Sequence, residues 1–156
     1  MQSETQTGLD TQTDSTLEDW QTGTVGGLLG SIAFGVLMAT QTPNVLEVAI
    51  PSLYGLEGGV AGTIVHLTHG VILGVTFAMV LTAVGWTDPP LAQSVAVGVG
   101  YGLVVWTLLA AILMPIWLSA VGFALAPDAP NIAIESLVGH IAYGTVLGTV
   151  YAVLGR

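Results

Sequence analysis

Beyond its first twenty residues the chain falls into four long apolar runs. They extend from about Gly23 to Thr40, Gly59 to Gly85, Leu91 to Met114 and Ile132 to Leu154. The first three carry no charge, and the fourth carries only Glu135. A helix needs roughly 20 apolar residues to cross about 30 Å of hydrocarbon, and each run comes close to or exceeds that length. No run alternates apolar and polar residues as a barrel strand does, and backbone groups in lipid must then be satisfied within helices. The pattern therefore predicts an all-α, polytopic membrane four-helix bundle.

Two shorter apolar stretches separate the spans, residues 44–54 (NVLEVAIPSLY) and 116–126 (IWLSAVGFALA). Both are expected to lie along the membrane interface. Pro51 limits the first to a short helix or turn, and Pro115 is expected to end or kink the third span. Trp86 and Trp117 sit at span ends, where interfacial anchors belong. Residues 1–21 are polar and acidic, and are expected to form a disordered tail ahead of a membrane domain over 22–156.

The chain also resembles itself. HLTHGVILGVTFAMVL, from His66, matches HIAYGTVLGTVYAVLG, from His140, with Gly70/Gly144 and Gly74/Gly148 in register. At an offset of 72 the preceding halves align Gly26/Gly98, Gly30/Gly102, Phe34/Trp106 and Pro43/Pro115. The bundle then reads as two tandem two-helix repeats, about 22–87 and 91–156, related by a pseudo-two-fold along the membrane normal. Every span carries a GxxxG pair: Gly26/Gly30, Gly70/Gly74, Gly98/Gly102 and Gly144/Gly148. Small residues at this spacing let helix backbones meet, which replaces the hydrophobic drive that lipid does not supply.

Composition narrows the chemistry. Net charge is −9, with ten acidic residues and one basic residue, so nucleic acid is not an expected partner; the lipid bilayer is, with a second copy or another membrane protein possible. Cysteine and lysine are absent, which excludes thiolate chemistry and Schiff bases. No Walker loop or G-x-S-x-G elbow occurs. No catalytic residue and no cofactor is expected. Arg156 is the only cation and places the C-terminus, and with four spans the N-terminus, in the cytoplasm of a multi-pass cell-membrane protein.

The candidate functional polar residues are His66, His69, His140, Tyr143, Glu57 and Glu135. His66 and His69 are three apart and share a helix face. His140 and Tyr143 are their repeat counterparts. Ionisable groups inside spans are costly and turn toward the bundle interior. His66 and His140 are expected at similar depth, toward the end away from the termini. They can serve as interhelical hydrogen-bond donors, as part of a solute or proton path, or as ligands to haem or a metal. Glu57 and Glu135 precede the histidine-bearing spans and either gate a polar vestibule or mark the water boundary.

The run VLEVAIPSLYGLEGG followed by HLTHG resembles small four-span membrane proteins of haloarchaea, over most of residues 22–154. The acidic, lysine-free composition is similar to that of proteins from a high-salt cytoplasm. Members are sometimes labelled histidine kinases, but no nucleotide-binding segment supports that here. The first functional expectation is a non-enzymatic packing, partner-binding or sensor-like module. The second is a small-solute or ion transporter or channel lined by His66, His69 and His140. The third is a haem- or metal-binding membrane subunit held by His66 and His140.

Overall fold

A computed structural model of the chain describes residues 17–86 and 88–155. Helix α1 (Asp19–Gln41) leads to a π-helical turn, Val45–Ala49, that runs into the short α2 (Ile50–Ser52). Helix α3 (Gly59–Ala83) follows. Helix α4 (Leu91–Val105) continues through a π-helical stretch, Trp106–Leu113, into α5 (Met114–Ala120). Helix α6 (Ile134–Leu154) completes the bundle, and the described residues contain no strand. Four helices are long and apolar enough to cross a membrane: Asp19–Gln41, Gly59–Ala83, Leu91–Ala120 and Ile134–Leu154. Their outward faces carry Val36, Ile64, Met79, Leu108 and Val153, all exposed. Such a girdle is what hydrocarbon requires and water does not tolerate. The chain is an all-α, multi-pass membrane protein.

Two boundaries differ from the sequence pattern. The acidic tail was expected through residue 21; residues 1–16 lie outside the described part, but Asp19, Trp20 and Gln21 form the first turn of α1. Glu18 caps that turn: its backbone N–H donates to Gln21 Oε1 at 2.9 Å, and the Trp20 indole N–H donates to its carboxylate at 2.6 Å. This is a capping box, which satisfies helix N–H groups that otherwise lack partners.

The third span does not end at Pro115. It runs 30 residues, to Ala120. A helix-interior proline removes one donor and crowds the carbonyl four residues earlier, here that of Ala111. The π-helical stretch widens the helix just before Pro115. The Ala111 carbonyl accepts the backbone N–H of Asn131 at 2.8 Å instead. Residues 116–120 are thus helix rather than a separate interfacial segment. At α5 and α3 the chain stops at Gly122 and Gly85, both at positive φ. Phe123 N–H then reaches Leu118 O, and Trp86 N–H reaches Leu81 O, each at 2.9 Å. These are Schellman closures that a side chain at the glycine would strain.

Helix α1 packs along both α3 and α6, and α4 packs along α6. The order around the bundle is therefore α3, α1, α6, α4. Glycine sets the closest contacts. A Cβ added at Gly74 would run into the Gly23 carbonyl and lie 2.6 Å from Gly27 Cα. One added at Gly144 would run into the Gly98 carbonyl, and one at Gly148 into the Ser94 carbonyl. Ser94 adds a buried hydrogen bond, Oγ to Gly148 O, at 2.7 Å.

Both helix pairs make the same kind of contact. On α1 the residues that meet α3 are Gly23, Gly27 and Ser31; on α4 those that meet α6 are Ser94, Gly98 and Gly102. These contact positions lie 71 residues apart (Gly27 to Gly98), where the sequence pattern aligns the halves at 72. At that spacing Phe34 aligns with Val105. Pro51 and Pro115 each follow a π-helical stretch and are buried. Gly26 and Gly30 face α6: a Cβ at Gly26 would lie 2.9 Å from Leu147 Cδ1, and one at Gly30 would lie 2.9 Å from the Tyr143 carbonyl.

This shift explains the shape of the bundle. At the new offset, Gly26 and Gly30 correspond to Val97 and Tyr101 on α4. The glycines let α1 touch α6. Valine and tyrosine hold α4 away from α3. Tyr101 props this gap, with its hydroxyl donating to Leu73 O at 2.8 Å and its ring 5.3 Å from Phe77. Phe77, Leu81, Leu147 and Tyr151 fill the half that contains the start of α1 and the end of α6, and the same core continues through Phe34, Met38, Leu46 and Ile50 into the other half. Gly155 lies close to Thr22 at the start of α1.

Candidate functional site

In the half of the bundle away from the start of α1, the separation of α3 from the continuous helix Leu91–Ala120 (α4 to α5, the third helix of the four spans) leaves a cavity of about 830 Å³. Helix α3 supplies His66 and His69, α6 supplies His140 and Tyr143, and α1 supplies Ser31 and Phe34. The far wall is the π-helical stretch, through Leu109, Ala110 and Leu113. Tyr143 forms part of the floor, its hydroxyl donating to Gly70 O at 2.7 Å. The end away from the start of α1 is clasped by Trp117, whose indole N–H donates to Leu53 O at 2.9 Å and joins α5 to the segment after α2. Trp117 therefore tethers the end of a span to a connection. Among the described residues, no charged residue lines the cavity.

The histidines are held individually. His66 Nε2 lies 2.9 Å from the Ser31 carbonyl on α1. His140 Nδ1 lies 2.7 Å from the Ser136 carbonyl, one turn earlier in its own helix. A carbonyl only accepts, so each of these nitrogens carries its proton. Phe34 meets both rings, at centroid separations of 5.2 Å from His66 and 4.8 Å from His140. The two histidines therefore share one level of the bundle. His69 hydrogen-bonds through Nε2 to the Tyr54 hydroxyl at 2.7 Å.

The structure brings together four of the six candidate residues, His66, His69, His140 and Tyr143. It leaves out the two carboxylates. Glu57 is exposed in the connection before α3, and Glu135 is exposed in the first turn of α6. Neither lines the cavity, so they do not gate it. Among the described residues, no group of three or more His, Asp or Glu converges on a common point. A bound iron or metal would have to rely on the remaining nitrogens of His66 and His140.

Sequence reasoning missed Phe34, Tyr54 and Tyr101. Phe34 reads as ordinary packing in a span, and Tyr54 lies in a connection with no periodic relation to His69. Tyr101 did leave a signal: a bulky residue where the other half of the chain has glycine. The offset of 72 hid that signal by aligning glycine with glycine. No protein-family model, no curated protein and no solved structure matches this chain.

Proposed function

We propose that the chain is a non-enzymatic, membrane-embedded binding protein of a sensor-like kind, whose cavity between α3 and the third helix receives a small molecule. The observation that carries this reading is the gathering of all three histidines of the chain, from both halves, around one uncharged space of about 830 Å³. Small-molecule sites fall between about 300 and 1,000 Å³, mostly apolar with a few convergent polar groups. The duplicated helix pairs and their glycine contacts would serve as the rigid frame. The frame buries its own glycine faces, which leaves the outer surface for lipid, a second copy or a membrane partner. In the same reading the protein sits in the cell membrane with both termini cytoplasmic. Its acidic composition suits the salt-rich setting of the haloarchaeal proteins it resembles.

Ala110→Trp tests the proposal by filling the cavity from the π-helical wall. The wild-type protein, released from its native membrane and weighed intact, is expected to carry a bound small molecule. The variant, equally folded by circular dichroism, is expected to lack it. Identical masses for the two proteins would contradict the reading.

A second reading is a small-solute or ion transporter. It draws on Thr42, Asn44 and Asn131, which extend the cavity lining toward the end of the bundle that holds the end of α1. The histidines would then stand at the bottom of a one-sided vestibule, with Tyr143, Tyr101 and Leu147 as the closed gate. Solute flux into proteoliposomes that Ala110→Trp abolishes would favour it over simple binding.

A further inference from the structure

We infer that the ligand of this cavity is a neutral, lipid-soluble molecule with a hydrogen-bond-donating head, an alcohol or phenol, received by the free ring nitrogens of His66 and His140. The inference rests on the binding reading above and specifies its chemistry.

The hydrogen-bond inventory around the histidines is one-sided. His66 donates through Nε2 and His140 through Nδ1 to backbone carbonyls. A neutral imidazole with one N–H engaged presents a bare lone pair on the other nitrogen. Among the described residues nothing bonds to His66 Nδ1 or His140 Nε2. Two of the lining hydroxyls are already committed as donors: Ser31 to Leu28 O at 2.9 Å and Tyr143 to Gly70 O at 2.7 Å. At this pair of histidines the site thus offers two acceptors. A ketone or ether head would leave both lone pairs unmatched, whereas an O–H satisfies one directly.

Charge is excluded from both sides. Among the described residues, no acidic or basic side chain lines the cavity. A carboxylate, phosphate or ammonium head would have to leave water without a counter-charge, which is costly inside a membrane. The body of the ligand is set by the remaining lining, which includes Leu73, Val105, Met114 and Leu118.

The route is lateral. Ile72 on α3 and Leu109 and Leu113 on the π-helical stretch line the cavity and are also exposed on the outer surface. The cavity therefore reaches the lipid between α3 and the third helix, bounded by the Tyr101 prop and the Trp117 clasp. An amphipathic molecule dissolved in the bilayer can enter head-first without crossing water.

The test uses the full chain in phosphatidylcholine nanodiscs and two radiolabelled probes of one shape, 1-dodecanol and its methyl ether. Both are expected to bind saturably, with the alcohol about tenfold tighter, the change that one well-made hydrogen bond supplies. His140→Phe is expected to remove the preference while the ether still binds, and His66→Phe to reduce it. The comparison within the wild-type protein does not depend on either variant folding. Saturable binding with equal affinities would overturn the donor assignment and leave the cavity reading standing. No saturable binding of either probe would overturn both.

Discussion

Gly144→Leu and Gly74→Leu each unfold the bundle under conditions the wild-type protein survives, whereas Gly100→Leu leaves it intact. At Gly144 even a methyl group would meet the Gly98 carbonyl, and its next neighbour, Gly98 C, lies 2.7 Å away. At Gly74 the Gly23 carbonyl and Gly27 backbone close the space in the same way. These obstacles are backbone, so the helices themselves must separate. Overpacking a core costs about 1–3 kcal/mol, and more where no side chain can yield. Here the cost should exceed about 3 kcal/mol, because separating the pair also forfeits the van der Waals contacts that hold membrane helices together. Gly100 is exposed with nothing within 4 Å of an added Cβ, so its leucine simply joins the lipid-facing surface. Unfolding in graded sodium dodecyl sulfate, followed by circular dichroism, reads the difference. Equal midpoints for Gly144→Leu and Gly100→Leu would refute the glycine-contact account.

Tyr101→Gly closes the cavity, and Tyr101→Phe does not. Tyr101 stands where α1 has Gly30, and its ring separates α4 from α3. With glycine there, α4 can approach α3 as α1 approaches α6, and the wall moves inward. Phenylalanine keeps the prop and loses only the hydrogen bond to Leu73 O, worth about 0.6 kcal/mol on the average of membrane side-chain bonds. The chain has no cysteine, so Ala110→Cys on the cavity wall reports the change cleanly. Its reaction with methyl methanethiosulfonate is expected to slow at least tenfold in the Tyr101→Gly background and to hold its rate with Tyr101→Phe. An unchanged rate with glycine would mean that something other than Tyr101 holds the wall.

Much of this fold is legible in the chain because lipid imposes so few solutions. The four uncharged or nearly uncharged runs locate the helices, and the glycines at Gly70, Gly74, Gly144 and Gly148 stand at close helix contacts, the first two against α1 and the last two against α4. Where the reading slipped, a local rule met a competing one. Pro115 is a helix breaker in isolation, yet a π-helical stretch ahead of it and the Asn131 N–H on Ala111 absorb the defect. Glu18 and Gln21 form a cap that composition alone does not reveal within an acidic segment. The cavity was least visible. It arises from an exception to the self-similarity, bulky Val97 and Tyr101 opposite Gly26 and Gly30, and a pattern search rewards agreement rather than exceptions. His66 and His140 were legible as a pair. Phe34 between them was not, since nothing distinguishes a packing phenylalanine from one that touches two imidazoles.

The existence of the cavity can be tested at two neighbouring positions. Ala110 lines it, while Ala111 is 1% exposed and packed away from it. Single cysteines at these sites, in the full chain in nanodiscs, differ only in which side of the helix they occupy. Methyl methanethiosulfonate is predicted to modify Ala110→Cys at least tenfold faster than Ala111→Cys. Equal rates, or faster reaction at Ala111→Cys, would mean that α3 and the third helix enclose no such space beside the histidines.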